Sequence, residues 1–140
     1  MITHHQKLKD VKRNWHLIDA GGNILGRMAT EVSTLLTGKR KVDYSPHLDN
    51  GDYVVVVNAK DVKLTGLKMQ NKVYRRHSGY PGGLKEVSFQ EQLKKDPRKI
   101  ILHAVSGMLA GNRLKDKRLK RLKVFSGSEH PYSDKFTSKN

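Results

Sequence analysis

Apolar residues along this chain recur at distinct periods. Leu25, Met28, Ala29, Val32, Leu35 and Leu36 fall at three- and four-residue steps, which gathers them into one stripe and predicts a helix. Asn23 suits the N-cap of that helix and Gly38 its stop. Just upstream, WHLIDA (Trp15 to Ala20) predicts a strand that Gly21-Gly22 turns into the helix. Tyr53 to Val57 (YVVVV) shows no polar alternation, as expected of a strand covered on both faces. A second helix is well marked at both ends of its first turn. Asp96 caps it, Pro97 takes the first helical position, and Ile100, Ile101, Ala104, Val105, Met108 and Leu109 form one wide apolar face.

Between these elements the pattern is weaker. Val62 to Thr65 and Lys72 to Tyr74 predict short strands joined by a basic loop through Gly66, Lys68 and Asn71, and HSGYPGG (His77 to Gly83) must be irregular backbone. Ser88 with Glu91 forms a capping box that opens a short helix burying Phe89 and Leu93. Arg113 to Lys123 is densely basic, and Val124-Phe125 suits a last strand. The order of strands and helices implies a single α/β domain built on a mainly parallel sheet.

Composition then narrows the function. Across 140 residues, 28 Lys and Arg stand against 13 Asp and Glu, a formal charge of +15. Such a surface calls for an anionic partner, and nucleic-acid backbone is the commonest, because each neutralised phosphate releases counterions. A membrane is not expected, since there is no long apolar segment, no signal-peptide pattern and no lipidation motif. Cysteine is absent, which excludes disulfides and thiolate metal sites and fits a cytoplasmic address. The charge is uneven: residues 1–57 hold 8 basic and 6 acidic side chains, and 58–140 hold 20 and 7. Partner-facing surface is therefore expected mainly in the second half.

Enzyme chemistry finds no foothold. The turn Gly21 to Gly26 lies between a strand and a helix, but Asn23 stands where a dinucleotide fingerprint needs glycine, and Arg27 and Met28 stand where a P-loop needs Lys and Ser or Thr. Gly26 is instead expected to allow close helix–sheet packing. His4, His5, His16, His47, His77, His103 and His130 never fall at ligand spacing with carboxylates, so no metal and no cofactor are expected. Asp43, Asp49 and Asp52 fit turn and cap positions better than a paired acid and base. No catalytic residue and no small-molecule substrate are assigned.

Basic segments carry the positive signal. Residues 63–77 hold Lys63, Lys68, Lys72, Arg75 and Arg76 with no acid, interleaved with Tyr74 and followed by His77 and Tyr80. Residues 113–123 hold Arg113, Lys115, Lys117, Arg118, Lys120, Arg121 and Lys123 against Asp116 alone, and Lys39-Arg40-Lys41 adds a third cluster. Uncompensated blocks of this kind suit phosphates, and Arg beside aromatic and glycine-rich backbone suits irregular RNA. If 113–123 is a helix, Leu119 and Leu122 can dock while Lys115, Arg118 and Lys120 point outward. Their mutual repulsion predicts a frayed segment until phosphates neutralise it.

The segments WHLIDAGGNILGRMATEVSTLLTGK, YSPHLDNGDYVVVVNA, VYRRHSGYPGGLKE, AVSGMLAGNRL and LKRLKVFSGSEHP occur in this order. Together they resemble the bacterial form of the large-subunit ribosomal protein thirteen family. The resemblance runs from about Trp15 to Pro131, which sets the domain core, with short polar tails at either end. It implies a three-layer αβα sandwich with a sheet of about four strands, and a structural place in the large ribosomal subunit on large-subunit rRNA. Early action in subunit assembly, neighbouring ribosomal proteins as partners, and messenger RNA binding by some members as translational repressors are implied too. Carried over position by position, Tyr74, His77, Gly79, Gly82, Gly83 and Lys85 match the family's glycine-rich RNA-facing loop. Ala110 stands where the family usually has proline, and Tyr132 to Asn140 replaces the usual tail. A nucleotide-binding enzyme and a free-standing RNA-binding regulator are the competing readings.

Overall fold

The computed structural model describes residues 6–137. His4 and His5, and the ends of both tails, lie outside the described residues. In chain order the elements are β1 (Trp15–Asp19), α1 (Leu25–Thr37), β2 (Tyr53–Val57), α2 (Lys68–Asn71), β3 (Val73–His77), β4 (Leu84–Ser88), α3 (Phe89–Lys95), α4 (Pro97–Met108), α5 (Leu114–Lys120), β5 (Leu122–Val124) and α6 (Asp134–Thr137).

Three strands form a parallel sheet in the order β1-β2-β5, with Ile18 beside Val56 and Val56 beside Val124 in register. Its central strand is the polar-free one. Val54, Val55 and Val56 are fully buried and Val57 nearly so, as the missing alternation predicts. Side chains alternate across the sheet, so Ile18, Val54, Val56 and Leu122 share one face with α1, α3 and α4. Leu25, Met28, Ala29, Val32, Leu35 and Leu36 of α1 meet Ile100, Ile101 and Val105 of α4 and Phe89 of α3 there. Burial of each large side chain stabilises by about 1.5–3 kcal/mol.

On the opposite face, Trp15 stacks on Tyr53 at 4.4 Å between ring centroids and on Tyr132 at 5.1 Å, with Phe136 of α6 edge-on at 6.4 Å. The C-terminal segment, expected to be a polar tail, is thus an apolar cover for β1. Helices, sheet and this segment make three layers of an α/β fold.

Several boundaries differ from expectation. The parallel sheet has three strands, because Val62 to Thr65 makes a single bridge, between Lys63 and Ile24, instead of a strand. Val62 still anchors in the core, but Ile24 turns directly into α1 and leaves no edge to pair with. The N-cap of α1 is Ile24, since the Asn23 amide donates to the Asp19 carbonyl at 2.6 Å instead. Met108 is exposed at the end of α4, with its sulfur 3.5 Å from the Thr30 hydroxyl. Other caps stand where the residues indicate: Ser88 accepts from Glu91 N–H, Asp96 accepts from Arg98 N–H, and Gly38 ends α1 in the left-handed region.

The antiparallel pair β3-β4 is separate from the parallel sheet. It pairs Tyr74 with Val87 and Arg76 with Lys85, and it docks through α3. Only its first strand was foreshadowed; LKEVS on β4 lacks the apolar alternation that marks a half-buried strand, because most of the hairpin is exposed.

Candidate nucleic-acid interface

The hairpin presents exposed basic residues on both of its strands. Tyr74 and Val87 turn toward the body, and two residues further along the same face Arg76 stands directly opposite Lys85. Both are exposed, and neither has an acidic partner among the described residues. Like charges directly opposite on a sheet destabilise it, so this pair is electrostatically unfinished. On the other face Arg75 Nε donates to Glu86 Oε1 at 2.6 Å, a solvent-exposed ion pair worth little to stability. His77 ends β3, and its Nδ1 accepts from Gly79 N–H at 2.9 Å.

A tight loop joins the strands. Ser78 N–H donates to the Gly83 carbonyl and Gly83 N–H to the Tyr80 carbonyl, which requires Gly79 and Gly82 at φ of 85° and 71°. A Cβ at Gly83 would overlap the Ser78 hydroxyl. This closure leaves Tyr80 76% exposed at the tip, its ring a flat aromatic surface toward solvent. Tyr80 lacks the prominence of Tyr74 in the sequence pattern, yet it is the freer ring.

Tyr74 itself is committed to the body. Its ring packs edge-on against His103 at 5.3 Å, Lys72 Nζ lies 5.5 Å from its centroid, and burial pushes its phenol up. Lys68 on α2 is exposed and Lys72 partly so.

Of the second basic block, Arg113, Lys117 and Lys120 are exposed and Lys115 and Lys123 are partly so. Arg118 and Arg121 are not: they are 3% and 7% exposed, and the outward placement expected for Arg118 is wrong. Arg121 grips Asp49 through both terminal nitrogens and donates Nη2 to the Leu36 carbonyl at 3.1 Å, satisfying the last turn of α1. Arg118 Nε and Arg13 Nη2 each lie 3.9 Å from the same carboxylate. Gly51 makes this junction possible, because a Cβ there would overlap the Leu36 carbonyl and crowd Arg121. The segment expected to fray therefore has a buried counter-ion, and its middle is a formed helix.

The third cluster divides similarly. Lys39 and Arg40 are exposed, Arg40 being 3.7 Å from Glu31. Lys41 is drawn inward to Asp52 and to the carbonyls of Lys12 and Asn50. Asp52 also accepts from Asn14 N–H and lies 2.9 Å from His16 Nε2. Asp49 and Asp52 are thus buried ion-pair centres, not turn or cap residues. Burial alone would raise both carboxyls, but the hydrogen bonds and charge of Arg121 at one, and of Lys41 at the other, hold them below the usual range.

Among the described residues no group of His, Asp and Glu is arranged to hold a metal ion, and no helix is long and apolar enough to cross a membrane.

Comparison with known proteins is consistent along most of the chain. The model of the family described as ribosomal protein L13 matches residues 13–131. A protein named large ribosomal subunit protein uL13 from Clostridioides difficile is 50% identical over 133 residues, covering 95% of this chain and 93% of its own. Proteins of the same name from Salinispora arenicola and Rubrobacter xylanophilus are each 52% identical, over 94% and 89% of this chain and 90% and 87% of theirs.

Proposed function

We propose, from the premise that this chain belongs to the ribosomal protein L13 family and is a structural constituent of the large ribosomal subunit, that it holds large-subunit rRNA mainly through backbone phosphates. Its role in the cytoplasmic ribosome is structural, with no reaction of its own. The observation that carries the RNA contact is the unfinished pair Arg76 and Lys85 on a projecting hairpin. A phosphate between these cations removes their repulsion and gains two charge-assisted hydrogen bonds. Around it, Arg75, Lys68 and Lys72 extend the positive surface, His77 adds an exposed ring, and the loop of Gly79, Gly82 and Gly83 lets backbone approach RNA closely.

The outward side of α5 offers a second patch in Arg113, Lys117 and Lys120, and Lys39 and Arg40 a third. Arg121 and Lys41 act from inside, holding the surfaces that present the others. Several separate patches on one small domain suit a protein that ties together RNA segments as a subunit assembles, beside neighbouring ribosomal proteins.

Binding of the purified chain to large-subunit rRNA across a range of salt tests this reading. The log–log slope is expected at roughly −0.7 to −0.9 per phosphate contacted. A flat salt response would overturn it, as would failure of the chain to sediment with large subunits in a sucrose gradient.

A further inference from the structure

The buried cluster around Asp49 has more positive charge than it can neutralise. One carboxylate faces the guanidiniums of Arg13, Arg118 and Arg121, and Arg121 already occupies both of its oxygens. Arg118 is left over. It is 3% exposed, its closest approach to Asp49 is 3.9 Å, and its buried Nε has no hydrogen-bond partner. A buried N–H without a partner is costly, and an ion pair at 3.9 Å leaves this guanidinium only loosely held.

The same side chain lines a cleft of about 380 Å³ between the C-terminal half of α1, the loop after it, and the exit of α4. No carboxylate lines this cleft. Its other polar groups are Lys39, Tyr44, Asn112, Ser33, Thr34 and Thr37, and the Ser33 hydroxyl proton goes to the Thr30 carbonyl. The Thr34 and Thr37 hydroxyl protons are committed to the carbonyls of Thr30 and Ser33. Asn112 uses its carbonyl oxygen to accept from Leu114 N–H, which leaves its amide N–H groups free. The Lys39 ammonium, the Tyr44 hydroxyl, the Asn112 amide and the Arg118 guanidinium therefore remain as donors, two of them cationic. A cleft with two cationic and two neutral donors and no carboxylate fits a tetrahedral oxyanion.

We infer that this cleft seats one phosphate group of the RNA backbone, with Arg118 beneath it and Lys39, Tyr44 and Asn112 around it. The inference rests on the RNA reading above and deepens it, because it assigns a single phosphate to a built pocket rather than to an exposed surface. It also gives Arg118 a purpose distinct from that of Arg121: one fixes the fold, the other is held ready by it.

The test uses Asn112→Asp, an exposed position where the bond to Leu114 N–H survives but a negative charge replaces the free amide, and Tyr44→Phe as a second, milder variant. Asn112→Asp is expected to weaken binding to large-subunit rRNA about tenfold and to flatten the salt slope by roughly 0.7–0.9. Inorganic phosphate titrated into the wild-type chain should shift the Arg118 Nε–H resonance saturably, and Asn112→Asp should abolish that response. If rRNA affinity and slope are unchanged in both variants while Arg75→Ala with Arg76→Ala weakens binding, the inference is overturned and the RNA reading stands. A phosphate response without any effect on rRNA binding means a free anion only, and overturns it too. A wild-type chain that does not bind rRNA would remove the wider reading as well.

Discussion

Arg118 and Arg121 come from a stretch of sequence much like the one that supplies Arg75 and Arg76, basic and poor in acid, yet the first pair is buried and the second exposed. The difference lies elsewhere in the chain. Asp49, some seventy residues upstream of Arg121, is carried by the loop after α1 to the spot where Arg121 enters β5, and Gly51 lets that loop approach closely. No acid is carried to Arg76, whose cross-strand neighbour is Lys85. A basic block thus has no fate of its own; the position of the nearest carboxylate in the fold decides whether an arginine is drawn inward or left at the surface.

The comparison breaks most visibly if a carboxylate is placed in the core without a guanidinium to meet it. Val56→Asp puts one in the middle of β2, fully buried, where burial of an unpaired charge costs several kcal/mol. Loss of the cooperative melting transition is expected, and a soluble, folded variant would show that this strand is accessible to water. Arg121→Ala is the converse change, leaving Asp49 with only the two guanidiniums at 3.9 Å. A loss of about 3 kcal/mol is expected, or roughly 10 °C in melting temperature. An unchanged melt would mean that Arg13 and Arg118 replace it fully.

Acid should reproduce part of this loss. Asp49 and Asp52 titrate lower in the folded chain than in the unfolded one. Their contribution is therefore complete above the ordinary aspartate value of about 3.9 and is lost as pH falls through the depressed folded values. Melting temperature should decline below about pH 4, and less steeply in Asp49→Asn than in the wild type. Equal slopes would place the acid sensitivity in other carboxylates.

At the hairpin the same kind of change should leave the fold alone. Arg75→Ala with Arg76→Ala is expected to shift stability by no more than about 0.5 kcal/mol, since the side chains removed are exposed. Affinity for large-subunit rRNA should fall by tenfold or more at moderate salt, and the salt slope should flatten by about two contacts. A large drop in melting temperature would make these residues struts like Arg121.

How much of this was legible depends on whether the signal was local. The stripe of α1, the unbroken valines of β2, the Ser88 cap and the Asp96-Pro97 start each depend on neighbours within one or two turns, and the structure follows them, although Ser88 and Glu91 make only the first half of the expected box. What the sequence hid was set by distant partners. Arg121 pairs with Asp49 and Trp15 with Tyr132 across half the chain or more, Lys41 meets Asp52 around an irregular loop, and no periodicity reports any of these pairings. The hairpin lay between. Its glycine-rich turn was visible, but β4 was not, because an exposed strand has no apolar face to write an alternating pattern. Tyr74 and Tyr80 were indistinguishable by type, and only packing shows that the first ring is engaged and the second free.

The smallest expected effect has the most diagnostic sign. Lys85→Glu places a carboxylate opposite Arg76 in a register already fixed by the hairpin, replacing a repulsive cross-strand pair with an attractive one. Such pairs are worth about 0.2–1 kcal/mol, so the free chain should become slightly more stable, measurable as a higher urea midpoint at unchanged slope. Binding should move the other way. The new carboxylate occupies Arg76 and repels the phosphate that the pair of cations is proposed to hold, so rRNA affinity should fall although the fold has improved. A residue kept for stability alone would change both in the same direction. If Lys85→Glu stabilises the chain and leaves rRNA binding untouched, the hairpin is not an RNA contact, and its unfinished charge pair must answer to some other anion. If it destabilises the chain, Lys85 already has a favourable role in the free protein, and the contrast with Arg121 loses its basis.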